Sequence, residues 1–163
     1  MKPLKILQSL AIMFCIAMLG CTKDVTSQPP VINQGDSNVT FSSWFSPAWQ
    51  YEVTTSNGWQ LNAFDRTVPE INADLLKYGK ILVFGKGGYE MRPPTALPAN
   101  FDNAKINVDV MMGDLKFVLI NSGEPISPSF QFRYILIPVD QFFPGGFDYD
   151  NYSAVCQYYH IFE

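Results

Sequence analysis

One histidine, His160, stands near the end of this 163-residue chain, and it is the only imidazole that could act as a general base. Ser-His-acid catalysis needs a histidine beside a nucleophile, and no Gly-x-Ser-x-Gly elbow occurs to present a serine. Cys156 precedes His160 by four positions, a spacing that places thiol and imidazole on one helical face. Two ligands do not close a zinc site, and no further Cys or His lies nearby. His160 therefore reads as a polar residue at a helix end, and Cys156 as a small packed thiol. Two-carboxylate chemistry, as in sugar hydrolysis, has many candidate pairs among the 15 acidic residues. Asp65, Glu70, Asp74, Asp109, Asp114 and Asp140 all fall where loops or outward strand faces are expected, so a small hydrolase is the least favoured functional class. Asp148, Asp150 and Asn151 alternate oxygen ligands as calcium loops do, but lack the glycine and terminal glutamate of an EF-hand loop; they predict a turn into a helix cap. Gly85-Lys86-Gly87-Gly88 lacks the Gly-Lys-Ser/Thr ending of a phosphate cradle. No catalytic residue, metal or cofactor is assigned.

Two features remain chemically specific. The first is Leu19-Gly20-Cys21. Lys2 and Lys5 precede the apolar run from Leu10 to Leu19, and a small residue then stands directly before a cysteine. This is the pattern of an export signal with cleavage before Cys21 and lipid added to its thiol and new amine. The ten-residue run spans about 15 Å as helix, roughly half a bilayer core, so it does not anchor by crossing. The second is the aromatic set. Trp44, Phe45, Trp49, Tyr51 and Trp59 cluster early, and Tyr149, Tyr152, Tyr158 and Tyr159 crowd the end. Exposed rings could stack on sugars or anchor a protein, whereas packed rings would build the core of a small domain. Trp44, Trp49 and Trp59 are the candidate ligand-binding residues.

Strands must position these groups. Trp49, Tyr51 and Val53 alternate with polar residues, as do Trp59, Leu61 and Ala63, and Asn57-Gly58 between them predicts a hairpin. Val68 to Lys77 changes period and predicts a short helix, with Pro69 near its start and Gly79 behind it. Ile81 to Phe84 is apolar throughout, as a strand buried on both faces would be. Met91 to Asn103, rich in proline, predicts an irregular loop. Ile106 to Val110 and Leu115 to Leu119 alternate about a Gly113-Asp114 turn, and Phe132 to Ile137 forms the last strand, stopped by Pro138. Tyr152, Val155, Tyr159 and Phe162 share one face of a closing helix over Asp150 to Phe162. Six or seven short strands with two short helices predict an all-β fold: a small β-sandwich, immunoglobulin-like or jelly-roll-like.

Residues 1–20 thus form the signal, 21–38 the lipidated cysteine and a flexible polar linker, and 39–163 the sandwich domain. Aromatics make up 15% of the chain and charges only 16%, which suits a β core. Once Lys2 and Lys5 leave with the signal, nine basic residues face 15 acidic ones, a net charge of −6. That balance, with no basic run, argues against nucleic acid and against a polybasic membrane patch. With Cys15 removed and Cys21 lipidated, no disulfide staples the domain.

Asn38-Val39 through Ser42 to Trp44-Phe45, Gly79 leading into Ile81-Leu82-Val83-Phe84, Leu97-Pro98, Phe132-Arg133-Tyr134 through Ile137-Pro138, and Asp150-Asn151-Tyr152 through Tyr158-Tyr159 together resemble a family of exported Bacteroidetes lipoproteins of uncharacterised function. Some of its members carry collagen-like repeats before the domain; this chain has only Gln34-Gly35-Asp36 where such a repeat would end. Lys23-Asp24 looks like the Lys-acidic surface-export tag of Bacteroidetes lipoproteins. The resemblance implies an outer-membrane-attached β domain on the cell surface or the periplasmic face, and supplies no catalytic residues. The expected function is a non-enzymatic, lipid-anchored accessory or adhesion-type module with a protein or glycan partner; the alternative is a glycan-binding module using exposed aromatics.

Overall fold

The computed structural model describes residues 32–34, 38–54, 58–101, 103–122, 125–143 and 145–162. The signal, Cys21, Lys23-Asp24 and Asn57 lie outside them. Among the described residues no helix is long and apolar enough to cross a membrane.

Among the described residues ten strands form two five-stranded antiparallel sheets. The first has the order β1 (Ile32–Gln34), β2 (Thr40–Ser42), β10 (Gln131–Ile137), β5 (Lys80–Gly87), β6 (Arg92–Ala96). The second has the order β3 (Tyr51–Thr54), β4 (Gln60–Thr67), β9 (Asp114–Asn121), β8 (Ala104–Met111), β7 (Ala99–Phe101). The fold is the small β-sandwich that the alternation predicts, with an internal helix α1 (Ala73–Tyr78) and a closing helix α2 (Tyr152–Tyr158).

Alternation explains the layers. In β10, Phe132, Tyr134 and Leu136 point between the sheets, where they meet Phe64, Ile106, Leu115, Phe117 and Leu119. Phe64 and Phe117 stack there with ring centroids 4.6 Å apart and an interplanar angle of 3°. The other face of β10 carries Ile135 and Ile137, which join Val39, Phe41 and Phe84 beneath Tyr152, Val155, Tyr159 and Ile161. Among the described residues the first sheet is thus covered on both faces, and the second only on one. Val83 and Phe84, one on each side, are both buried, as the unbroken apolar run Ile81 to Phe84 requires.

A buried arginine ties these layers together. Phe41 pairs with Ile135 and Phe45 with Phe132, so Ser42-Ser43-Trp44 face only Arg133-Tyr134. That extra residue leaves the Ser42 carbonyl for the Arg133 Nε, which donates to it at 2.8 Å, while the Ser42 Oγ accepts from the Tyr134 amide at 3.1 Å. The Arg133 Nη1 donates to the Tyr152 Oη (2.5 Å) and Nη2 to the Phe162 carbonyl (3.2 Å). The guanidinium also lies 5.2 Å from the Phe41 ring centroid and 5.8 Å from that of Trp44.

Several expectations need correction. Met91 to Asn103 is not a loop: β6 and β7 occupy it, one at the edge of each sheet, and a cis Leu97-Pro98 peptide lies between them. Pro93 and Pro94 fit β6 because it is an edge strand and its pairing with β5 shifts register between Gly85 and Gly87, opposite these two residues. Part of the expected linker is also sheet, since Ile32–Gln34 pair with Thr40–Ser42. The internal helix begins at Ala73 rather than Val68, because the Val68 amide donates to the Gly113 carbonyl and the Gly113 amide to the Ile71 carbonyl. Asn72 then caps α1, its Oδ1 accepting from the Leu75 amide at 2.8 Å. The β8–β9 turn is Met112-Gly113, one residue earlier than expected, with Gly113 at φ +78°. The closing helix stops at Tyr158, so Phe162 is 80% exposed and Ile161 takes the buried place expected of it.

Candidate functional site

The three candidate tryptophans fall in three different layers. Trp49 packs edge-on against Phe64 (5.1 Å) and Phe132 (6.3 Å) between the sheets. Trp44 lies on the α2 side of the first sheet, tilted against Tyr152 at 5.5 Å, with the Lys86 Nζ 4.2 Å from its ring centroid. Both are half-buried. Of the three, Trp59 is the exposed ring, 45% open, on the outer face of the second sheet. No aromatic strip unites them.

The outer face around Trp59 is built by strand register. Val53 pairs with Leu61, Leu61 with Ile120, Ile120 with Lys105, and Lys105 with Asn100, so one row crosses all five strands. Trp59 precedes Leu61 by two residues and therefore shares its face. Its ring lines an open depression with Ile120, Lys105, Asn100, Asn103 and Ser122. An apolar ring and isoleucine are flanked there by two amides, a hydroxyl and an ammonium. Such a surface offers stacking for an apolar ring face together with donors and acceptors for hydroxyls. The next rows begin apolar with Ala63 opposite Val118, then carry alternating charge with Asp65, Lys116 and Asp109 side by side.

Trp59 stands out in the sequence as a ring beside a hairpin turn. Its polar neighbours do not, because Asn100 belongs to the stretch that reads as loop and Asn103 and Ser122 sit at strand ends.

The other chemistry-bearing groups are structural or dispersed. His160 is exposed at φ +52° and lies just beyond the end of α2, where the Ile161 amide donates to the Cys156 carbonyl at 2.9 Å. That 6→1 bond is the Schellman closure, and His160 holds its left-handed position. Cys156 packs against the α2-side core. The Asp148 Oδ1 accepts from the Asp150 amide and the Asn151 Oδ1 from the Ala154 amide, a turn followed by a helix cap. Gly85 to Gly88 ends β5, and Gly87 (φ +98°) has no room for a Cβ, which would meet the Ser129 carbonyl oxygen at 2.2 Å. Among the described residues no group of three or more His, Cys, Asp or Glu is placed to hold a metal.

Comparison with protein-family models, characterised proteins and solved structures finds no match to this chain.

Proposed function

We propose that the chain is a non-enzymatic recognition module of the adhesion type, held at the outer membrane by lipid on Cys21, with a glycan as ligand. The observation that carries this reading is the Trp59 depression. It is an exposed indole beside Ile120, rimmed by Asn100, Asn103, Ser122 and Lys105, on the sheet face left open among the described residues. Sugar rings present apolar C–H faces edged by hydroxyls, and this surface complements both. The acidic net charge disfavours a polyanion, and the Lys105 ammonium in the depression is a donor for sugar hydroxyls.

The test is glycan-array binding of the full chain in detergent. Trp59→Ala should weaken binding about tenfold or more, as loss of a central aromatic anchor does, while Trp49→Phe, inside the core, should leave it within about twofold. Equal binding by wild type and Trp59→Ala would overturn the assignment. For the anchor, Cys21→Ala should move the chain from the membrane pellet to the soluble envelope fraction, and retention in the pellet would overturn it. Protease treatment of intact and lysed cells then separates surface display from the periplasmic face.

A further inference from the structure

The end of the second sheet that carries Trp59 has a concavity on each face. Along β9, Ile120 and Ser122 line the outer Trp59 depression, while Leu119 and Asn121, pointing the other way, line a recess between the sheets. On β7, Asn100 takes the outer side and Phe101 the inner. Asn103 and Ala104, where β7 turns into β8, border both, so the two concavities meet at the rim of the sheet. The recess has a volume of about 30 Å³. The exposed residues Tyr89, Asn103 and Pro125 mark its mouth. There the Tyr89 hydroxyl donates to the Pro125 carbonyl at 2.9 Å, which holds a ring that is 61% exposed beside the opening.

The walls define what fits inside. Phe101, Leu119 and Phe130 are buried and Ile126 is half-buried, and the Phe101 and Phe130 rings meet edge to face at 5.7 Å. Ser127 has no proton to offer a ligand. The Ser129 Oγ donates to the Gly88 carbonyl, so the hydrogen between the two serine hydroxyls, 2.9 Å apart, comes from Ser127 and is already used. Asn121, 3% exposed, is then the polar donor of the inner wall. A buried water needs about two to four polar partners, and a space of this size takes one water or one methyl group. Apolar walls with a side-chain amide at their edge suit a methyl group joined to an amide.

We propose that the ligand of the Trp59 face is an N-acetylated oligosaccharide. One sugar ring stacks on Trp59, and the acetamido group of the next enters the recess, its methyl among Phe101, Leu119 and Phe130 and its amide against Asn121 and Asn103. Tyr89 flanks this second sugar. This ligand class rests on the Trp59 reading and narrows it from glycans in general to those that bear N-acetyl groups.

The experiment is an amide-shift NMR titration of the full chain in detergent with three disaccharides of one linkage. They are N,N′-diacetylchitobiose, cellobiose, which has hydroxyls in place of the acetamido groups, and N,N′-dibutanoylchitobiose. Cellobiose should shift Trp59, Ile120 and Ser122. The diacetyl sugar should shift these and also Ala104, Leu119, Asn121 and Ser127, and bind about tenfold tighter, from one buried methyl and the hydrogen bonds of its amide. The dibutanoyl sugar, longer in each arm, should bind about tenfold or more weakly than the diacetyl sugar, because the recess has no room for the added methylenes. Trp59→Ala should weaken the diacetyl sugar and cellobiose alike. Equal affinity for those two with the recess amides unmoved, or dibutanoyl binding as tight as diacetyl, would overturn the proposal and leave the Trp59 reading standing. Shifts at Trp59 with none of the three sugars would overturn both.

Discussion

Arg133 shows how much one residue can hold in this molecule. A guanidinium that is 2% exposed contacts a bulged strand, a helix and the chain end, and its hydrogen-bond acceptors are two carbonyls and a phenol. Arg133→Ala should lower the unfolding free energy by about 3–5 kcal/mol, read from the urea midpoint, because the acceptors stay buried without donors. Arg133→Lys, a single ammonium unable to fork in three directions, should still lose about 2 kcal/mol. Nothing near Phe132-Arg133-Tyr134 in the sequence announces this. Period two places Arg133 opposite Phe132, which on a one-sided strand means solvent; the partners that bury it lie 91, 19 and 29 positions away. The tryptophans carry the same lesson. Their types mark them as rings for binding or for packing, but which role each takes depends on the layer it lands in, and only tertiary pairing decides that.

At the level of elements, strands with clean alternation or unbroken apolar runs were legible, namely β3 to β5 and β8 to β10. Of the edge strands, β1, β6 and β7 were not. β6 and β7 contain Pro93, Pro94 and Pro98 in or beside them, and proline reads as loop unless the strand is known to have a neighbour on one side only. The same prolines, with three-residue β1 and β7 at other edges, keep those edges from pairing with a second molecule. Helix α2 was legible from its apolar spacing, but its stop was hidden, since His160 takes the left-handed position that glycine or asparagine usually holds. His160→Gly should therefore raise stability by about 0.5–1 kcal/mol, measurable as an increased thermal midpoint. A fall in the midpoint would mean that the imidazole makes a contact worth more than the backbone strain.

Across the whole molecule, tyrosines in both cores couple folding to alkaline pH. Burial, reinforced by the Glu70 charge and opposed by that of Arg66, pushes Tyr134 up to about 12. Tyr152 and Tyr159, under the helix, are also raised, chiefly by burial. The fold thus prefers the neutral phenols. Below pH 10 folded and unfolded chains are both protonated at these sites and stability should not depend on them; as pH rises from about 10 through 12 the unfolded chain loses protons first and stability falls. The share of the tyrosinate absorbance that belongs to these three should therefore rise together with the loss of tertiary signal. Ionisation of all eight tyrosines with the fold intact would show that these phenols are open to solvent. The sandwich itself was legible from the number and spacing of strands, while the double coverage of one sheet was not, because it depends on a helix some fifteen residues beyond the last strand.

That coverage also sets an order in time. The first sheet has β10 at its centre and α2 as its roof, and both are made from the last third of the chain. Until those residues emerge, β2 and β5 have no strand between them, and Val39, Phe41 and Phe84 have nothing above them. Neither core can therefore close before β10 has been made, and the α2-side core waits also for Tyr152, Val155, Tyr159 and Ile161.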